Sequence, residues 1–114
     1  MKTIIENILN SLNISRRYLG YRLTVYAVTL VLENENRLLH IVKEVYAPTA
    51  KMANCSIYCV ERNIRTVIFI AWNNNREFLN EIAGAKLSVP PTVSEFIDIL
   101  SQYIKENCSV SNNT

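Results

Sequence analysis

The chain has 114 residues, enough for one hydrophobic core without disulfide or metal staples. Apolar residues make up 49% of it and charged residues 19%, which excludes a disordered chain, and two glycines with three prolines are too few for the tight turns of a sandwich or barrel. The net charge of +2 is too small to name a partner by itself.

No apolar run reaches the roughly eighteen residues of a membrane span. The start, Met1 to Asn7, lacks both a long apolar run and a small-residue cleavage site, so a secretion signal is not expected and the cytoplasm is the expected location. Three cysteines, Cys55, Cys59 and Cys108, read as reduced thiols. Cys55 and Cys59 stand one helical turn apart, but a closed zinc site wants four N/S ligands, and the chain has one histidine, His40, and no CxxC pair. No metal and no cofactor are expected.

Taken in order, Ile4, Ile5, Ile8, Leu9 and Leu12 lie at helical spacing over Thr3–Leu12. Asn13 to Ser15 is a connector, with Ser15 as a candidate cap for the next helix. Residues 16–33 are ambiguous: Leu23, Tyr26, Ala27, Leu30 and Val31 form a helical stripe, yet Thr24 to Val31 is rich in β-branched residues that favour strands. The long apolar run without a breaker decides for a buried helix, ended by the polar loop Glu33 to Asn36. Leu38–Tyr46 is predicted as a third helix with Leu38, Ile41, Val42 and Val45 inward, stopped by Pro48. Pro48 also suits the first turn of a short helix over Pro48–Ala53. Asn54 to Ser56 is a turn, in which Asn54 tolerates the left-handed conformation and Ser56 opens the next helix.

From Ile57 to Trp72 an apolar stripe of Ile57, Val60, Ile64, Val67, Ile68, Ala71 and Trp72 predicts a helix of about five turns. Tyr58, Cys59, Glu61, Arg62, Arg65, Thr66 and Phe69 lie opposite, and Asn73 to Asn75 ends it. Arg76–Ala83 is a short helix capped by Gly84. Val89 to Pro91 is extended, because the residue before a proline is pushed out of the helical region. Thr92 or Ser94 caps a last helix to about Glu106, with Phe96, Ile97, Leu100, Tyr103 and Ile104 inward. The expected organisation is one all-α domain over residues 1–106, about six helices, with a flexible tail over 107–114.

Charge is unevenly spread. Residues 37–76 carry Arg37, Lys43, Lys51, Arg62, Arg65 and Arg76 against Glu44 and Glu61, a net +4, whereas residues 77–114 are net −3. A basic middle suits a polyanion; it also suits a solvated face of mixed charge. Catalysis has little to work with, since there is no glycine-rich phosphate loop and no GxSxG, and Cys59 has no identifiable base. Residues 48–72 supply, in order, the bracing helix, tight turn and second helix of a helix-turn-helix. Arg62 and Arg65 carry forks suited to guanine or phosphate, and Glu61 can accept from cytosine N4. On pattern alone, DNA reading and an ordinary solvated helix face stand side by side.

Specific motifs go further. Val60-Glu61-Arg62-Asn63-Ile64-Arg65 followed by Ile70-Ala71-Trp72, together with Pro91-Thr92 and Ser94-Glu95-Phe96-Ile97, resembles the C-terminal effector domain of the sporulation response regulators of the stage zero sporulation protein A family. The resemblance runs from about Gly20-Tyr21 to Ile104. Tyr46, Pro48 and Ala50-Lys51 are similar to the family's Tyr-Pro-x-Ile-Ala-Lys, with either one extra residue, Ala47, or a local shift. The resemblance implies an all-α, double-stranded-DNA-binding transcriptional regulator, with Glu61 and Arg62 facing bases and Arg65 meeting backbone or a base edge. It also implies tandem or dimeric assembly on DNA and contact with RNA polymerase. The candidate contact set is Lys51, Ser56, Tyr58, Cys59, Glu61, Arg62, Arg65 and Thr66. The competing class is a protein-interaction module that modulates a full-length relative or polymerase without reading DNA, for which Tyr58 and Phe69 are the loose support.

Cys59 stands where the family has arginine, Tyr58 where it has serine, and Thr66 where it has histidine. No receiver domain precedes Gly20, so phosphorylation-driven dimerisation in cis is not expected. Cysteine cannot make the bidentate guanine contact, which carries about 1–3 kcal/mol of discrimination. Selection from random duplexes is therefore expected to return a site altered or relaxed relative to the family's box; recovery of the family box unchanged would contradict this.

Overall fold

The computed structural model describes residues 2–108, and these are all-α: α1 (Lys2–Ser11), α2 (Leu19–Glu33), α3 (Ala47–Ala53), α4 (Ile57–Asn74), α5 (Arg76–Ala83) and α6 (Val93–Cys108). A 3₁₀ segment, Glu35–His40, and a π turn, Val42–Tyr46, lie between α2 and α3. Asn107 and Cys108, assigned by sequence to a tail, continue α6, and the rest of that expected tail lies outside the described residues.

Helix ends follow local chemistry. Three helices end in a left-handed residue, Asn13, Asn54 and Gly84, each flanked by the same pair of backbone bonds. These run Ile14 to Leu9 and Asn13 to Asn10, Cys55 to Ala50 and Asn54 to Lys51, and Ala85 to Asn80 and Gly84 to Glu81. That pairing is the Schellman motif, which satisfies carbonyls the helix leaves open. Thr92 and Glu95 form a reciprocal cap at α6: the Glu95 N–H donates to Thr92 Oγ1 at 3.1 Å, and the Thr92 N–H to Glu95 Oε1 at 2.8 Å.

The largest departure from the sequence expectation lies over residues 35–53. Glu35 and Asn36 begin the 3₁₀ segment instead of a loop, and no regular α-helix spans Leu38–Tyr46. Val42, expected inward, is 52% exposed. Pro48 does not stop the chain either; the helix runs through it into α3. A proline ring collides with the carbonyl four residues back in a regular helix. The Ala47 N–H here bonds the Val42 carbonyl, five residues back, and this wider turn brings the helix to Pro48 in a register without that collision. Ser15 likewise does not cap α2. Its Oγ accepts from the Arg17 N–H at 3.2 Å, and α2 begins three residues later than residue 16, at Leu19.

The helical reading of α2 is right despite its β-branched content. Thr24 and Thr29 donate their hydroxyls to the carbonyls of Gly20 and Val25, both at 2.7 Å, so neither needs a partner outside the helix. Gly20, Leu23, Thr24, Val25, Ala27, Val28 and Val31 are buried, which covers most of the circumference. Such a helix must be surrounded, and α2 packs against α1, α3, α4 and α6. The closest approach is at Gly20. A Cβ there would meet the Asn63 carbonyl oxygen of α4 at 2.3 Å and Val67 Cγ2 at 2.6 Å.

Two tendencies oppose each other at Gly20. Alanine is the better helix former by about 1 kcal/mol, whereas overpacking a tight contact costs about 1–3 kcal/mol. Because the obstructing atom is backbone, the clash wins. Gly20→Ala is expected to lower unfolding stability by about 1–2 kcal/mol in chemical denaturation; an unchanged or raised midpoint would show that α2 and α4 do not meet this closely.

Candidate nucleic-acid interface

α3 has seven residues, α4 has eighteen, and Asn54, Cys55 and Ser56 join them. Asn54 (φ 56°, ψ 50°) closes α3, and the extended Ser56 opens α4 by accepting the Cys59 N–H on its Oγ at 3.0 Å. One face of α4 is core: Val60, Ile64, Val67, Ile68 and Ala71 are buried. Ile57, read as part of that stripe, is 41% exposed at the first turn, and Trp72 is half-buried.

The other face is open. Tyr58, Arg62, Arg65 and Thr66 are exposed, as are Ser56 in the turn and Lys51 on α3; Tyr58 is 68% exposed. The structure therefore brings Tyr58, Arg62, Arg65 and Thr66 to one open face of α4, with Ser56 exposed in the turn before it and Lys51 exposed on α3. Glu61 and Cys59 are half-buried at its margin. Glu61 Oε1 accepts from Arg65 Nη2 at 2.8 Å, one turn along the helix. Tyr46 lies beneath this pair. Burial pushes its hydroxyl up from the ordinary tyrosine value, the Glu61 charge adds to that, and Arg65 opposes it. Thr66 donates to the Arg62 carbonyl at 3.2 Å.

Cys59 is engaged inside the protein. Its sulfur and its carbonyl both accept from Asn63 Nδ2, at 3.3 and 2.8 Å. The Cys55 thiol is pushed up by burial and then by the neighbouring Cys59 sulfur, while Arg22 of α2 acts in the opposite direction. Asn63 is the residue that sequence reading passed over. Its carbonyl occupies the space a side chain on Gly20 would need and its amide bonds Cys59, and its only signal was a polar residue inside the Val-Glu-Arg-Asn-Ile-Arg motif.

Several cations of the basic middle serve the fold. Arg37 donates to the Leu30 carbonyl at 2.7 Å and to Glu33 at 3.0 Å, closing the end of α2. Arg76 lies 3.9 Å from the centre of the Trp72 ring. Among the described residues, Lys43, Lys51 and Arg62 have no ion pair. The far end of α4 is tied down by Asn75, which accepts the Phe78 N–H and donates to the Ser11 carbonyl at 2.7 Å. No group of three His, Cys, Asp or Glu among the described residues is placed to hold a metal, and no helix among them is long and apolar enough to cross a membrane.

These features define an all-α domain that presents one long, capped helix beyond a short one, with cations on its outer face. Residues 5–104 match the family model described as Sporulation initiation factor Spo0A C terminal. The chain belongs to this family, which comprises DNA-binding effector domains of sporulation regulators and is a regulatory family, not an enzyme family. The match takes in α1 as well as the Gly20–Ile104 span that carried the motifs.

Removing the Ser56 cap is expected to cost about 1 kcal/mol and to speed hydrogen exchange at the Cys59 amide. Full protection of that amide in Ser56→Ala would show that the cap does not set the start of α4.

Proposed function

We propose that the chain is a sequence-specific regulator of transcription that inserts the N-terminal half of α4 into the DNA major groove, with α3 and the turn as the second arm of a helix-turn-helix. The observation that carries this reading is the exposed row of Tyr58, Arg62, Arg65 and Thr66 directly after a capped three-residue turn. Such an arrangement puts side chains from the first turns of a second helix where base edges are read. Arg62, with no ion pair among the described residues, is the reader of guanine. Lys51 on α3 meets a phosphate.

The Glu61–Arg65 pair does not prevent this role. An exposed pair one turn apart contributes about 0.3–0.5 kcal/mol, whereas one bidentate base contact carries about 1–3 kcal/mol. DNA therefore outcompetes Glu61 for Arg65, and Glu61 is released to accept from a cytosine amino group. Cys59, covered and bonded to Asn63, contributes little to reading. Tyr58 projects further and has a hydroxyl that can reach a phosphate. Pairing of copies on tandem sites and contact with polymerase remain part of this proposal, as the family resemblance implies.

Binding to a selected duplex should weaken linearly in log salt, by about 0.9 per phosphate neutralised. Arg62→Ala should lose base discrimination by about 1–3 kcal/mol, and Lys51→Ala should weaken all sequences alike and flatten the salt slope by about 1. Equal, sequence-independent losses from both would make Arg62 a backbone contact. Absence of binding to any duplex at low salt would overturn DNA reading and favour a protein-interaction module.

A further inference from the structure

A cavity of about 200 Å³ lies between α1 and α2, walled by Lys2, Arg16 and Arg22 with Glu6, Tyr21 and Tyr26. Three cations face one carboxylate there. None of the three forms an ion pair among the described residues, in contrast to Arg37, Arg65 and Lys105. The Tyr21 hydroxyl donates to Asn10 Oδ1 at 2.9 Å, with the Glu6 carbonyl at 3.3 Å, so its proton is directed away from an incoming anion. Like charges gathered without partners repel one another, and an anion from outside relieves that repulsion.

The cavity shares α2 with the candidate interface, since α2 walls the one and packs against the helices of the other. α2, which carries Arg22, packs against both α3 and α4, and its Gly20 meets Asn63 of α4. Arg22 thus stands on the helix that both walls the cavity and backs the α3–α4 pair. A duplex read by α4 has its phosphate backbone running past the groove edge, where positively charged flanks hold it without reading sequence. We propose that Arg16 and Arg22, with Lys2 beside them, form a second anion site that grips a phosphate of the DNA backbone flanking the groove read by α4. The proposal rests on the DNA-binding reading above and extends the contact surface from α3–α4 to the α1–α2 shoulder. The site is proposed as a clamp and not a reader, so it is expected to act on all sequences alike.

The test is salt-dependent binding of the full chain to one selected and one scrambled duplex. Arg16→Gln with Arg22→Gln is expected to flatten the log–log salt slope by about 0.9 for each phosphate that is no longer neutralised and to weaken both duplexes by the same factor. Arg16→Lys with Arg22→Lys should keep the wild-type slope, and each single glutamine variant should give a partial drop, which secures the result if the double variant folds poorly. An unchanged slope in the glutamine variants would overturn the clamp, and so would weakening confined to the selected duplex. The underlying reading is checked separately by wild-type binding and Arg62→Ala: those can succeed while the clamp fails, whereas failure of wild-type binding overturns both.

Discussion

Gly20 lets the backbone of α2 come into contact with the backbone of α4 at Asn63, and the rest of the molecule is arranged around that contact. A methyl group there would push the two helices apart, so glycine is kept in spite of its poor helix propensity. The contact fixes α4 against the one helix that is buried on most of its circumference, and α2 in turn touches α1, α3 and α6. At its far end α4 is held again, through Asn75 to the Ser11 carbonyl. A helix anchored at both ends on a packed core presents its outer side chains in a fixed register, which is what reading base edges needs.

The same contact shapes the chemistry of the surface. The Asn63 carbonyl lies against Gly20 and its amide turns to Cys59, so one of the residues that departs from the family pattern is bonded within α4. Of the remaining side chains, Arg65 is lightly held by Glu61, Arg62 has no ion pair among the described residues, and Tyr58 is open to solvent. Under the proposed reading, specificity shifts from the position of Cys59 toward Tyr58 and Arg62.

Much of the fold could be read from local chemistry. Asn54, Ser56 and Gly84 were legible as helix ends because a left-handed residue or a side-chain cap depends on only a few neighbours, and of the two caps the sequence allows for the last helix, Thr92 and Ser94, it is Thr92 that bonds. The stripe of α4 was legible because its core face repeats cleanly. Residues 35–46 were not, since the proline signal reads as a stop and nothing in composition marks a bond to the carbonyl five residues back. In the site, the spacing of Glu61 and Arg65 already allowed their pairing. The close approach of Gly20 to Asn63 depends on how α2 lies across α4, a long-range relation that no periodicity records.

Chemical-shift mapping of the isotope-labelled chain during titration with a selected duplex tests the central claim most directly. Major-groove reading through α4 predicts the largest perturbations at Ser56, Tyr58, Arg62, Arg65 and Thr66, with smaller ones at Lys51 on α3. Perturbations confined to α5 and α6, with the outer face of α4 unmoved, would contradict it.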